Sequence, residues 1–134
     1  MIDAKWAKEF AQEWVDSWNA HDINRILSHY VDDFEMRSPI IVERMGIASG
    51  VLKGKKAVSH YWAPALTASP PLKFVLHDVL VGTDAIALYY YNVTRGRMVV
   101  EVLTFNEQRQ VVTGSAHYAE APCDEPLLSD DSEP

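Results

Sequence analysis

Arg97-Met-Val-Val-Glu-Val-Leu-Thr-Phe105 reads as a strand with one acid at its centre. Val99, Leu103 and Phe105 fall on the same side as Glu101, while Met98, Val100 and Val102 fall on the other, so both faces are largely apolar. A carboxylate in such surroundings either keeps a hydrogen-bonded or wet cavity around itself or takes up a proton, because burying it unpaired is costly. An exposed or edge-strand glutamate is the plainer alternative. The sharper reading is an acid inside a pocket.

The same period of two recurs on either side of this stretch, at residues 72–81, 85–94 and 111–119. Gly82-Thr83, Arg95-Gly96 and the polar run 106–110 supply the turns between these strands. Upstream the period is helical. Trp6, Phe10, Trp14 and Trp18, with Ala7, Ala11 and Val15, fill one half of a wheel over residues 3–19, and Lys5, Lys8, Glu9, Gln12, Glu13, Asp16 and Asn19 fill the other. His21-Asp22 breaks this pattern. Asp22 is a suitable N-cap for a short second helix through Ile23, Ile26, Leu27 and Tyr30. Phe34, Met36 and Ser38 then alternate with Glu35 and Arg37 in a short strand ending near Pro39. Residues 40–53, punctuated by Gly46 and Gly50, read as a loop that could serve as a lid. A third helix follows Gly54, with Val58, Tyr61, Trp62 and Ala65 on one face and Pro64 bending or ending it. Helices followed by hairpin-linked strands predict an α+β domain with a curved antiparallel sheet.

With 134 residues, 48% of them hydrophobic, the chain is sized for one domain with a single core. The net charge of −7 is not spread evenly. Residues 119–134 hold six acids and no Lys or Arg, which leaves thirteen acids against twelve bases in the first 118 residues. The expected division is therefore a folded domain over residues 1–119 and an acidic, disordered tail over 120–134, in which Leu127 and Leu128 hint at packing. No basic stripe suggests nucleic acid. The lone Cys123 rules out an internal disulfide and, by count, a cysteine-based structural metal site. Charged residues interrupt the first twenty positions, unlike a signal peptide, and no apolar run approaches the roughly 20 residues of a membrane span. The expectation is a cytoplasmic protein without membrane contact.

The order helix, helix opening at Asp22-Ile23, His-Tyr-Val-Asp-Asp-Phe, short strand ending at Pro39, helix, four strands resembles the nuclear transport factor 2-like superfamily. This superfamily includes SnoaL-like polyketide cyclases, ketosteroid isomerase and scytalone dehydratase. The likeness spans about residues 5–119 and is strongest over 14–34 and 100–118. It implies a cone: a strongly curved antiparallel sheet whose concave side is closed by three N-terminal helices around an apolar pocket, with a homodimer through the convex side. In the ketosteroid isomerase pattern, the general base lies just before the proline ending the short strand, where this chain has Ser38. The oxyanion-hole tyrosine matches Trp14, which donates only through its indole N–H. The protonated, hydrogen-bond-donating acid matches Glu101. Base and tyrosine are both replaced, so the resemblance does not imply steroid isomerisation by that route. Nor does the chain show the paired acids with an arginine of a limonene-epoxide-hydrolase-like site.

Turn geometry decides what else faces Glu101. A two-residue turn at Arg95-Gly96 sets Tyr90 opposite Glu101, with Leu88 and Asn92 on the same face. A two-residue turn at Gly82-Thr83 brings His77 opposite Leu88, so His77, Tyr90 and Glu101 converge as a candidate acid/base group. A one-residue change in either turn sends a member to the other face. Val99 and Leu103 continue this wall, Gly114 and Ala116 leave room, and Tyr118 adds a hydroxyl, while His117 faces a dimer partner. Trp14, Trp18, Tyr61 and Trp62 from the helices, with Tyr30, Met36 and Ser38, complete the expected lining of a site for a small apolar ligand. Such a group suits cofactor-independent isomerisation, dehydration or cyclisation of a small carbonyl compound by proton transfer. A self-satisfied polar network in a non-catalytic binding or accessory domain is the alternative.

Overall fold

Asp3 and Asp22 open the first two helices in the computed structural model, which describes residues 1–126. The Asp3 carboxylate accepts from the Trp6 amide at 2.8 Å and that of Asp22 from the Arg25 amide at 3.1 Å, each satisfying an otherwise orphaned N–H. The helices are α1 (Ala4–Asn19) and α2 (Ile23–Leu27), with His21 in the corner between them at φ 57°. The elements that follow are β1 (Tyr30–Arg37), α3 (Pro39–Met45), β2 (Val51–Lys53), α4 (Lys55–Leu66), β3 (Phe74–Val81), β4 (Ala85–Asn92), β5 (Arg97–Phe105) and β6 (Val111–Tyr118).

The segment expected to be a loop is a helix and a strand. Ser38 caps α3 through its hydroxyl, Pro39 occupies the first turn, and Gly46 ends the helix at φ 68°. The Ser-Pro pair and the glycine seven residues later are a helix start and stop visible in the sequence. Pro64 lies in the last turn of α4 and does not end it early.

The six strands form one curved, unclosed sheet in the order β2-β1-β6-β5-β4-β3. Its neighbours are antiparallel except β1 and β6, which run parallel, with Met36 beside Gly114. Helix α1 lies across the inner face: Trp14, 1% exposed, stacks on Phe74 at 5.8 Å between ring centroids and meets Tyr90 at 5.5 Å. Trp18 packs edge-on against Trp62 of α4 at 4.9 Å. Each such fully buried large side chain is worth about 1.5–3 kcal/mol of transfer free energy.

Both hairpins differ from the two-residue expectation. Asn92 pairs with Arg97, so residues 93–96 form the β4–β5 loop, closed by Gly96 N–H donating to Asn92 O at 2.8 Å. Val81 pairs with Ile86, and Gly82 N–H donates to Ala85 O at 2.7 Å. Each register moves by two residues, an even number, so the side-chain faces survive. The tail expected to be disordered from residue 120 is tied down at its start: Cys123 donates its N–H to Gly96 O at 2.8 Å and accepts from the Tyr91 hydroxyl at 2.7 Å. Leu127 and Leu128 lie outside the described residues. No helix among the described residues is long and apolar enough to cross a membrane.

Candidate functional site

Glu101 is 4% exposed, and β5 turns its side chain to the inner face. The Tyr90 hydroxyl donates to its Oε1 at 3.2 Å. The register change makes Leu88, rather than Tyr90, the residue directly across from Glu101, and Tyr90 reaches the carboxyl diagonally from its place beside Val99. Burial pushes the Glu101 carboxyl up from 4.5 to about 7, against the lowering effect of the Tyr90 hydrogen bond. Burial and then the Glu101 charge push Tyr30, Tyr90 and Tyr118 upward, which keeps all three hydroxyls protonated.

Glu101, Tyr90 and Tyr118 border a cavity of about 70 Å³, small beside the roughly 300–1,000 Å³ of pockets for drug-sized ligands. Of the residues expected to line it, Trp14, Trp18, Met36, Tyr61 and Trp62 do so, as do Tyr90, Asn92, Glu101 and Tyr118. Trp14 spends its N–H on Tyr30 Oη at 2.9 Å. Trp18 Nε1 is buried without a hydrogen-bond partner among the described residues, so the second tryptophan carries the uncommitted donor.

His77 corrects the expected triad. Leu76 pairs with Tyr90 but Asp78 pairs with Tyr89, so one extra residue is inserted at His77. A bulge of one residue inverts the face where the two lengthened turns did not. The His77 ring accordingly lies 6.3 Å from that of Tyr89, whose 38% exposure places it on the outer face. His77 does not border the cavity.

Several other expected lining residues are wall material set back from the space. Leu88, Val99 and Leu103 are at most 1% exposed and belong to the core, as do Tyr30 and Ala116. Gly114 leaves room, but Leu103 and Met36 take it: a Cβ there would stand 3.2 Å from Leu103 Cδ2 and 3.4 Å from Met36 Sδ. Ser38 is a helix cap, accepting from Ile40 N–H at 3.1 Å and from the Tyr61 hydroxyl at 3.4 Å.

Sequence reasoning missed Ile40, Ala65, Leu72 and Phe74, and with them two cations, Arg44 and Arg95. Arg95 sits in the longer-than-expected β4–β5 loop, its guanidinium carbon 5.6 Å from the centre of the Tyr118 ring. Arg44 follows Ile40 by one helical turn on α3, the helix that was read as a loop. Recognising Ser38-Pro39 as a helix start would have put Ile40 and Arg44 on one face. Among the described residues Glu101 is the only carboxyl bordering the cavity, and they contain no group of three or more His, Cys, Asp or Glu arranged to hold a metal ion.

The SnoaL-like domain family matches residues 11–119. A SnoaL-like protein of unknown function from Burkholderia thailandensis is 47% identical, with a TM-score of 0.85 over 88% of this chain and 98% of its own. The epoxide hydrolase/cyclase-like enzyme SalBIII, with a role in pyran ring formation in the polyether salinomycin, shares 18% identity and a TM-score of 0.68 over 90% of this chain and 95% of its own. An NTF2-like protein of unknown function from Cytophaga hutchinsonii shares 10% identity and a TM-score of 0.66, covering 84% and 89%. No curated protein matches. The match across most of the chain, together with the cone of helices on a curved sheet, shows that this chain belongs to the SnoaL-like family within the nuclear transport factor 2-like superfamily.

Proposed function

We propose that this protein binds a small, mostly apolar carbonyl compound and moves a proton on it without a cofactor, as an isomerase, dehydratase or cyclase. The observation that carries this reading is Glu101: a buried carboxyl, the only one at this aromatic cavity among the described residues, hydrogen-bonded to Tyr90 at 3.2 Å and poised at about 7. A group so poised can take a proton and return it at neutral pH. Tyr90 steadies the ionised carboxylate with its O–H, and the Trp18 N–H, without a partner among the described residues, offers a donor to a carbonyl oxygen. Because His77 lies outside the cavity, Glu101 serves as both acceptor and donor.

The test is exchange of the protons next to the carbonyl of cyclopentanone and cyclohexanone in D₂O, followed by NMR. The wild-type protein accelerates exchange, with a rate that rises with pH as Glu101 ionises through about 7, and Glu101→Gln abolishes the acceleration. Equal rates for the two proteins, or none above buffer, overturn the assignment. The cavity's volume of about 70 Å³ favours the second reading, a binding or accessory domain in which Glu101 and Tyr90 only satisfy each other. Ligand binding with no exchange would select it.

The quaternary reading is a homodimer through the outer face of the sheet. Tyr89, Val100 and His117 lie side by side across β4, β5 and β6 there, Leu80 is 57% exposed, and His77 Nε2 is buried without a partner among the described residues.

A further inference from the structure

Arg44 and Arg95 reach the cavity from two different elements, and neither has a carboxylate within ion-pair distance among the described residues. Both positions are built. Arg95 is held by its own N–H donating to Asn92 Oδ1 at 3.1 Å, in a loop closed through Gly96 at φ 65°, and its guanidinium lies over Tyr118. Arg44 is in the last turn of α3, which Ser38 caps at one end and Gly46 terminates at the other. Arg44 is exposed and Arg95 half-buried, whereas Glu101 is buried. The cations therefore mark the solvent side of the cavity, and the acid marks its depth. Both arginines also act on Tyr61, whose hydroxyl they lower against the stronger raising effect of burial.

We propose that the ligand is a compact keto acid whose carboxylate is held by Arg44 and Arg95 at the mouth while its carbonyl end enters among Trp14, Trp18 and Trp62 toward Glu101. Guanidinium groups present planar donor forks that match a carboxylate, and two forks without a carboxylate partner among the described residues, at the mouth of a cavity walled by Trp14, Trp18 and Trp62, select a ligand charged at one end and apolar at the other. A neutral ketone of the same length leaves both cations without a counter-charge. The inference rests on the ligand site proposed above and adds the charge of what occupies it. The small volume agrees with a short ligand.

The probes are levulinate and its methyl ester, titrated into the full chain at low salt and followed by NMR. Wild type binds levulinate more tightly than the ester. Arg44→Gln and Arg95→Gln each weaken levulinate on the order of tenfold, the size of one charge-assisted contact, and weaken the ester by less, so that the preference for the acid shrinks. Arg95→Lys retains part of the preference. Equal affinities for acid and ester in wild type, or a preference that survives the double Gln variant, overturn the carboxylate assignment while leaving the pocket reading intact. Tighter binding of inorganic phosphate than of levulinate overturns it as well. Absence of binding by either probe removes the small-carbonyl reading of the pocket and this inference together. Unchanged melting of the Gln variants excludes a folding defect, as expected for changes at the cavity mouth.

Discussion

Replacing Glu101 by Gln should change the way stability depends on pH more than stability at any single pH. The carboxyl ionises at about 7 in the folded chain against 4.5 when free. Between those values the folded state holds a proton that the unfolded state has released, so stability falls as pH rises, and the Glu101 contribution is level outside that window. At ~1.4 kcal/mol per pH unit, a rise from 4.5 to about 7 corresponds to roughly 3 kcal/mol, a large share of the 5–15 kcal/mol that holds a typical domain folded. Gln keeps the shape and removes the ionisation. Urea unfolding of both proteins at about pH 4 and about pH 8, with the slopes checked for equality, measures the effect. The variant gains about 3 kcal/mol on the wild type between the two pH values, because at the higher one the wild type carries a buried charge and the variant does not. Subtracting the curves cancels every other titrating group. A difference between variant and wild type that stays constant to within ~0.5 kcal/mol would refute the claim that Glu101 is buried with a raised pKa.

Two further outcomes follow from packing. Gly114→Ala places a methyl 3.2 Å from Leu103 Cδ2 and 3.4 Å from Met36 Sδ, and since both neighbours are flexible ends, the destabilisation in thermal melts falls at the low end of ~1–3 kcal/mol. Met36 moves into the cavity it borders and weakens ligand binding; unchanged stability and binding would mean the inner wall is looser than these contacts imply. Tyr89→Glu puts a charge in the middle of the proposed dimer face and converts the dimer to monomer in sedimentation analysis, and a monomeric wild type or a dimeric variant rules that face out.

The cavity explains why the ketosteroid isomerase pattern fails here beyond the missing base. Ser38 caps the start of α3 and offers a hydroxyl in place of a carboxylate base, and the Trp14 N–H is taken by Tyr30. The one acidic position that survives, Glu101, has different neighbours: a tyrosine that reaches it from an adjacent strand, the N–H of Trp18, which has no partner among the described residues, in the same wall, and two arginines toward solvent.

What the sequence determined by itself is what adjacent residues decide. Asp3 and Asp22 mark helix starts because a short side chain caps its own helix, and Glu101 shares a face with Val99 and Leu103 because a strand repeats every two residues. The same local rule made Ser38-Pro39 and Gly46 readable as a helix, had they been weighed above the glycines around them. Tertiary structure decided what lies between strands. Turn length sets register, and both loops are two residues longer than the expected turns, so Leu88 took the place opposite Glu101 and Arg95 was brought to the cavity. A single inserted residue then put His77 on the outer face, although its own strand reads as plain alternation. Such an insertion carries no signature in the alternation of its own strand, because it is defined by the pairing of β3 with β4, residues distant in the chain.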